Sequence, residues 1–239
     1  VNVMGSSIAR LVDHVIMQGS GPEICVLSTK AALAQMVILL RTAIAIARLG
    51  KLISKKEEDS LKGDIADLSP LLEKILNEKS GLINNLARKN SKNKNWIFLG
   101  RGIYYPIALE AALKYKEAAY LHAEGMPAGF LKHGTLALVD DNLCTLVFVP
   151  PQSDANYNLT MGSVEEVKAR GGRLIGFHFD RIKQHKELFN EDLLLPPAPL
   201  LTAPLTQLVA AQLFAYFTAL ALKRNVDKPR SLAKSVTVA

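Results

Sequence analysis

The feature that most constrains this sequence is a short apolar run followed by a glycine turn and a long helical pattern. The run Trp96–Leu99 ends at Gly100-Arg101-Gly102, and the segment after it is apolar almost all round. A buried strand, a glycine turn and a helix form the repeating unit of doubly wound α/β sheets, which bind ligands beyond the carboxyl ends of their strands. This stretch therefore predicts an α/β fold with a candidate site near the turn.

The charged residues of the predicted helix are spaced so that they share one face. Glu110, Lys114 and Glu117 occur at i, i+4 and i+7, which places them in one row. On an ordinary surface helix such a row is a solvated series of ion pairs. On a helix that is buried on most sides, charged side chains are rare and indicate a function. The apolar residues that flank the three charges favour this second interpretation.

The rest of the chain after residue 95 alternates strands and helices, as expected for a parallel sheet. The predicted elements are a strand at Thr145–Val149, a helix over Asn156–Ala169, a strand at Leu174–Phe179, an edge strand at Leu193–Leu195 and an amphipathic helix over Leu205–Lys223.

The sequence before residue 95 predicts a segment that is mainly helical. The expected elements are, in order, strands at Val1–Met4 and Val15–Met17, a helix over Ala31–Leu49, and two helices within residues 51–94. Ser28 or Thr29 would cap the first of these helices. Ser69 would be the N-cap of the last, with Pro70 at its first helical position.

Composition narrows the class of protein. The chain has 239 residues, 49% of them apolar and 21% charged, which is enough to bury a full core. No apolar run reaches the roughly 18 residues of a membrane helix, because Arg41 and Arg48 interrupt the best candidate. The two cysteines, Cys25 and Cys144, lack metal-ligand spacing and predict reduced thiols in a cytoplasm.

The charge pattern argues against nucleic acid as a partner. The net charge is +7, but the basic residues are scattered or gathered in runs without interleaved aromatic residues. The sequence also has none of the glycine-rich nucleotide loops or clustered ligand motifs that hold cofactors and metals. We therefore expect no cofactor, no metal, no nucleic acid and no membrane.

Three segments together resemble one known family. Residues 100–134 read GRGIYYPIALEAALKYKEAAYLHAEGMPAGFLKHG, residues 21–35 read GPEICVLSTKAALAQ, and residues 227–239 read DKPRSLAKSVTVA. The first resembles the second sugar-isomerase (SIS) domain of the glucosamine-6-phosphate synthase family, the second its first SIS domain, and the third its C-terminal tail.

The resemblance implies a fold and a division of the chain. The fold is α/β, an SIS-type parallel sheet flanked by helices, with one complete lobe preceded by an incomplete one. Residues 1–50 would be the C-terminal half of a first SIS domain and 51–94 a helical connection. Residues 95–224 would be the second SIS domain, and 225–239 a tail that reaches the active site.

The resemblance also implies an activity and its catalytic residues. Such proteins are aminotransferases that make glucosamine 6-phosphate from fructose 6-phosphate and ammonia derived from glutamine, in hexosamine synthesis. Glu117 matches the base that moves a proton between neighbouring carbons, a role that suits a helical carboxylate. His133 matches the group that opens the sugar ring, and Lys234 matches the lysine that forms an imine with the open-chain sugar.

Five further residues match positions that build the family's binding site. Glu110 and Lys114 match the charged positions around the base, and Val26, Ser28 and Ala233 match substrate contacts. Taken without the resemblance, Val26 is a strand end and Ser28 an N-cap.

The resemblance implies partners as well as residues. In the family, the counterpart of His133 enters the site of a neighbouring subunit, so we expect a homodimer that binds a phosphosugar in the cytoplasm. The family's phosphate-cradling loop and its glutaminase domain precede the position that matches Val1. By itself this chain should therefore not hydrolyse glutamine.

Three departures from the family pattern keep other functions open. Phe130 stands where the family usually has an acidic residue, Thr135 where it has proline, and Ala239 where it has glutamate. A binding module or inactive fragment that holds a phosphosugar without turning it over is one alternative. Another is an SIS isomerase that takes a different phosphosugar and no glutamine.

Overall fold

A computed structural model describes residues 1–180 and 187–233. Its centre is a five-stranded sheet with the strand order β2-β1-β3-β4-β5, in which every neighbouring pair is parallel. The strands are β1 (Asn95–Gly100), β2 (His122–Pro127), β3 (Leu143–Phe148), β4 (Arg173–His178) and β5 (Glu191–Leu194). The predicted parallel α/β sheet is confirmed.

Eight α-helices surround or precede the sheet in the described part of the chain. They are α1 (Ser7–Leu11), α2 (Thr29–Leu49), α3 (Lys55–Ala66), α4 (Leu68–Glu78), α5 (Ser80–Asn90), α6 (Tyr104–Ala119), α7 (Tyr157–Lys168) and α8 (Ala203–Ala221). Two short 3-10 helices, Ala128–His133 and Thr135–Leu138, follow β2.

The two faces of the sheet are covered by different helices. Alternate strand residues point to opposite faces, so Trp96 and Phe98 pack with α5, α6 and α8, whereas Ile97 and Leu99 pack with α7 and the first 3-10 helix. The first face holds an aromatic cluster in which the rings of Tyr115 and Phe214 stack at 5.6 Å. The helix α6 is thus held between the sheet and α8, as its apolar flanks predict.

The helix α8 differs from the prediction in character. It was expected to be amphipathic, but 13 of its 19 residues are buried, including Thr206, Gln207 and Thr218. Its polar side chains are accommodated by hydrogen bonds: Gln207 Nε2 donates to the carbonyls of Val149 and Phe177, each at 2.8 Å. The Thr206 and Thr218 hydroxyls donate to backbone carbonyls at 2.9 Å and 2.8 Å, whereas Gln207 Oε1 is buried without a hydrogen-bond partner among the described residues. Most, but not all, of the buried polar atoms of α8 are therefore hydrogen-bonded.

The prediction of two N-terminal strands is wrong. The segments Val1–Met4 and Val15–Met17 meet only where the Val1 amino group donates to the Ile16 carbonyl at 3.0 Å and Gln18 N–H donates to the Val1 carbonyl at 2.8 Å. Two hydrogen bonds do not extend into a strand ladder, and the described residues of both segments lie outside the sheet.

The connection before the sheet also differs from the prediction. Three helices, α3, α4 and α5, occupy residues 51–94 where two were expected. The helix α4 begins at Leu68, with Asp67 as its N-cap residue, so Ser69 and Pro70 lie inside its first turn. Proline is tolerated there because the first N–H groups of a helix have no partner within the helix.

Two helices are long and apolar enough to cross a membrane by length and composition, namely α2 and α8. The sequence argument that Arg41 and Arg48 exclude such a helix is therefore too strict. Burial separates the two helices: 72% of the apolar window in α8 is buried inside the protein, against 6% in α2. The helix α8 is a core helix, whereas α2 presents an apolar surface that the rest of the described chain leaves largely uncovered.

Candidate active site

The charged face of α6 forms a compact ion triplet. Lys114 Nζ lies 2.9 Å from Glu117 Oε2 and 3.4 Å from Glu110 Oε1. The lysine side chain is 5% exposed, and the two glutamate side chains are 21% and 19% exposed for Glu110 and Glu117. This degree of burial excludes the solvated series of surface ion pairs, since a buried cation must be paired to remain charged.

This triplet does not lie where the sequence placed the site. Because α6 joins the parallel strands β1 and β2, it runs antiparallel to them, and its last turns lie at the edge where the strands begin. Glu117 is two residues from the end of α6, far along the helix from the glycine turn at its start. The turn itself is tight: a Cβ on Gly100 would lie 2.1 Å from the Tyr104 carbonyl oxygen.

A cavity of about 150 Å³ adjoins the triplet. It is lined by residues from four separate parts of the chain: Cys25, Leu27, Thr29, Lys114, Ala118, Gln212, Tyr216, Val226 and Asp227. The loop before α2, the charged face of α6, the middle of α8 and the start of the C-terminal tail therefore converge at one place. Sequence spacing could indicate only the α6 residues of this set.

The loop before α2 is held against the cavity by several hydrogen bonds. Gln212 Nε2 donates to the Thr29 carbonyl at 3.3 Å, and Glu23 Oε1 accepts from Ala31 N–H at 3.2 Å at the start of the helix. These bonds tie the loop both to α8 and to the first turn of α2.

The predicted substrate contacts Val26 and Ser28 belong to this loop. Both are half-buried, and they alternate with the residues Cys25, Leu27 and Thr29 that line the cavity. Ser28 occupies the N-cap position of α2 in the left-handed conformation, with φ 57°. In the described part of the chain its hydroxyl makes no capping hydrogen bond, and it donates to the Val26 carbonyl at 3.5 Å.

The C-terminal tail reaches the same cavity from the other side. Cys25 Sγ donates to the Val226 carbonyl at 2.8 Å, which joins the loop to the tail across 201 residues of sequence. Ala233, a predicted substrate contact, is exposed. Lys234 and Ala239 lie outside the described residues.

His133 lies away from the triplet in a single chain. It ends the 3-10 helix that follows β2, so it lies at the edge of the sheet where the strands end. It is exposed, and its ring packs edge-on against Phe130 at 6.0 Å. Among residues 1–180 and 187–233 of one chain, no contact joins His133 to Glu110, Lys114 or Glu117.

Other titratable groups of the described chain lie in surroundings different from those of the triplet. Burial raises the pKa of the Cys144 thiol to about 11, so this cysteine stays protonated and unreactive at neutral pH. Within the described residues, no group of three or more His, Cys, Asp or Glu side chains is placed to hold a metal ion. The chemistry available at the cavity is that of a carboxylate beside an ammonium group.

The residues that sequence analysis missed come from distant segments. Gln212 and Tyr216 lie on a helix that reads as core, and Cys25 sits in an apolar run without any motif. No local pattern marks them, because Gln212 and Tyr216 come near Lys114 through the packing of α8 on α6, and Cys25 through the loop that contacts the tail at Val226.

Comparison with known proteins gives a consistent result. The family model described as "SIS domain" matches residues 91–222. A glutamine--fructose-6-phosphate aminotransferase [isomerizing] of Methanococcus maripaludis is 42% identical over 238 residues, which is 100% of this chain and 38% of that protein. The chain therefore spans well under half the length of that relative.

Solved structures agree in fold. The C-terminal domain of glucosamine-fructose-6-phosphate aminotransferase from Francisella tularensis aligns with a TM-score of 0.88 and 37% identity, over 95% of this chain and 64% of that one. The tagatose-6-phosphate ketose/aldose isomerase of Escherichia coli aligns with a TM-score of 0.54 at 22% identity, over 78% of this chain and 50% of that one. The second likeness concerns the fold alone.

Proposed function

We infer the function from one premise, that the chain belongs to the SIS domain family. We propose that it is the isomerase and sugar-binding part of an aminotransferase that makes glucosamine 6-phosphate from fructose 6-phosphate and glutamine-derived ammonia. Its reaction would supply amino sugar for UDP-GlcNAc synthesis in the cytoplasm. The relatives with this activity support the proposal through their identity over the whole of this chain.

The observation that carries the proposal is the buried ion triplet beside a cavity. A lysine held between two glutamates within 3.4 Å is costly to bury and is not needed to pack α6 on the sheet. It lies where three other segments converge. Buried charges at a cavity indicate a site whose chemistry requires them.

The triplet suits the proton transfer that isomerisation requires. Moving a proton between neighbouring carbons of an open-chain sugar needs a carboxylate that reaches both carbons from one side. We assign this role to Glu117. Lys114 donates a hydrogen bond to Glu117 Oε2, which orients the carboxylate, and Glu110 forms an ion pair with the same ammonium group at 3.4 Å and orients it in turn.

The loop and the tail supply the rest of the substrate site in this proposal. Val26 and Ser28 lie in the loop that borders the cavity, and Ala233 follows the part of the tail that lines it. Lys234 comes next in sequence and would form the imine with the ketone carbonyl.

The position of His133 supports a homodimer. The triplet and His133 lie at opposite edges of the sheet of one chain, so a single chain does not bring them together. A second copy can present its exposed His133 to the cavity of the first, where the imidazole would open the sugar ring. The phosphosugar site would then be completed by two subunits.

The extent of the chain supports a proposal about its domains. We propose that residues 95–224 are the complete SIS lobe, which the family match over residues 91–222 supports, and that residues 51–94 are a helical connection to it. We propose that residues 1–50 are the C-terminal half of another SIS lobe, because the apolar surface of α2 is of the kind that a sheet covers. Glutamine hydrolysis and most of the phosphate contacts would belong to parts of the longer protein outside these 239 residues.

A second candidate function is a module that binds a phosphosugar without converting it. Phe130 favours it, because its ring is 66% exposed and packs against the side of His133, where the family usually has an acidic residue. This candidate needs the cavity but not the base. The two candidate functions therefore differ in whether Glu117 is required.

The test replaces Glu117 in the complete polypeptide that carries this chain. Glu117→Gln keeps the shape of the side chain and removes its basicity, so turnover of fructose 6-phosphate to glucosamine 6-phosphate should be lost. Calorimetric titration with glucosamine 6-phosphate should still show saturable binding. Glu124→Gln, an exposed glutamate on β2, is the matched control and should leave turnover unchanged.

Two results would contradict the proposal. Unchanged turnover in Glu117→Gln would remove Glu117 from the reaction. Sugar binding by a wild-type protein without any turnover would select the binding module instead.

A further inference from the structure

Tyr120 occupies a special position immediately after the helix that carries the ion triplet. It is the C-cap residue of α6 in the left-handed conformation, with φ 58°, and its N–H donates to the Lys116 carbonyl at 3.0 Å. A non-glycine residue in this conformation is uncommon and carries a steric cost. Tyr120 is three residues beyond Glu117 in sequence.

The Tyr120 side chain binds the C-terminal tail in two ways. Its hydroxyl oxygen accepts a hydrogen bond from Arg230 N–H at 2.8 Å. The guanidinium carbons of Arg224 and Arg230 lie over its ring, 5.1 Å and 4.7 Å from the ring centroid. Cation–π contacts at these distances are attractive, and arginine is the cation that most often makes them.

The tail between these two arginines is folded onto the protein. Asn225 Oδ1 accepts from the N–H groups of Asp227 and Lys228 at 3.0 Å and 2.9 Å, which closes a turn. Val226 is held by Cys25 at the cavity, and Pro229 is buried. The contact of Tyr120 with Arg230 thus anchors the described part of the tail four residues before Lys234 in sequence.

We propose that Tyr120 is a positioning residue that fixes the tail relative to α6. This inference rests on the proposed function, because Lys234 acts there on the same sugar as Glu117. One side chain links the helix that carries the base to the segment that carries the imine-forming lysine. The link holds residues 224–230 against the end of α6, and Lys234 follows them in sequence. Misplacement of a catalytic group by a small distance is costly in catalysis.

Tail anchorage can be measured without any turnover. Hydrogen–deuterium exchange of peptides covering residues 224–233, followed by mass spectrometry, reports the opening of the tail. Tyr120→Phe removes the hydrogen bond and keeps the ring, so exchange at the Arg230 amide should rise about tenfold. Tyr120→Leu removes both contacts, and exchange should rise about a hundredfold.

The same variants in the complete polypeptide test positioning. With Tyr120→Leu, kcat for glucosamine 6-phosphate formation should fall about tenfold while KM for fructose 6-phosphate stays near the wild-type value. Tyr120→Phe should lie between wild type and Tyr120→Leu. The control is Tyr105→Phe, which makes the same chemical change at the other end of α6 and should alter neither exchange nor kcat.

The outcomes separate the inference from the proposed function. Unchanged exchange in Tyr120→Leu would overturn the anchor, whatever the enzyme does. Faster exchange with unchanged kcat, in a protein that Lys234→Ala inactivates, would overturn the positioning role and leave the proposed function intact. If Glu117→Gln keeps full turnover, the proposed function fails, and the exchange experiment still decides whether Tyr120 anchors the tail.

Discussion

At the scale of single residues, Lys114 decides how the charged face of α6 is interpreted. The spacing of Glu110, Lys114 and Glu117 is visible in the sequence and correctly predicts that they meet. Their burial is not visible there, because the residues that cover them lie near positions 25 and 212. On a surface, a row of ion pairs would contribute little to stability. Inside the protein, the same charges are costly to remove from water and must be paired in a specific geometry.

Removing the Lys114 charge should therefore lower the stability of the protein far more than removing a surface charge would. Lys114→Met keeps most of the apolar side chain and leaves two carboxylates close together without their cation. We expect the free energy of unfolding to fall by about 3 kcal/mol, measured by denaturant titration.

A paired variant provides the control for this prediction. Adding Glu117→Gln to Lys114→Met removes the repulsion between the carboxylates and should recover part of the lost stability. An unfolding midpoint of Lys114→Met equal to that of the wild type would show that the triplet behaves as a solvated surface network.

At the scale of elements, four of the five strands were predicted and one was not. The strands β1, β3 and β4 are mainly apolar and were predicted because a strand buried on both faces has this composition, and β5 was predicted as a short edge strand. The strand β2, His122-Ala123-Glu124-Gly125-Met126-Pro127, has no β-branched residue and was not predicted. It becomes a strand by pairing in parallel with β1 along six residues, which is a tertiary effect.

The packing of α6 on β2 explains why glycine stands at position 125. A Cβ at this position would lie 2.5 Å from Leu109 Cα and 2.6 Å from Leu109 N on α6. The backbone of the helix therefore packs directly on the backbone of the strand. Only glycine permits this approach.

Gly125→Ala should push α6 away from β2. We expect a loss of about 1–3 kcal/mol in the free energy of unfolding, because the atoms in the way belong to backbone and cannot rotate aside. Turnover should fall with it, since the same helix carries Glu117. Circular dichroism melting and steady-state kinetics on one preparation measure both effects.

Gly162→Ala is the matched control for this prediction. Gly162 lies in α7, and a Cβ there would meet no atom within 4 Å. This change should be neutral or stabilise the helix by about 0.5–1 kcal/mol. A Gly125→Ala protein as stable as Gly162→Ala would contradict the close packing of α6 on β2.

At the scale of the whole molecule, a single chain does not bring together the residues that we propose as catalytic groups. The triplet lies where the strands of the sheet begin, and His133 lies where they end. The sequence pointed to the residues through motifs but placed the site at the glycine turn, because a motif does not reveal which edge of the sheet a helix face reaches. The chain also spans only 38% of the length of the archaeal relative.

The measurement that tests this account most directly mixes two inactive variants of the complete polypeptide, Glu117→Gln and His133→Ala. If each site combines Glu117 of one subunit with His133 of another, each mixed dimer has one intact site of two and should show about half of the wild-type activity. A random mixture, in which about half of the dimers are mixed, should show about a quarter. Mixed dimers are purified through two different affinity tags, and the double variant Glu117→Gln, His133→Ala mixed with itself is the control. Restored activity supports a shared isomerase site, and purified mixed dimers without activity would contradict it.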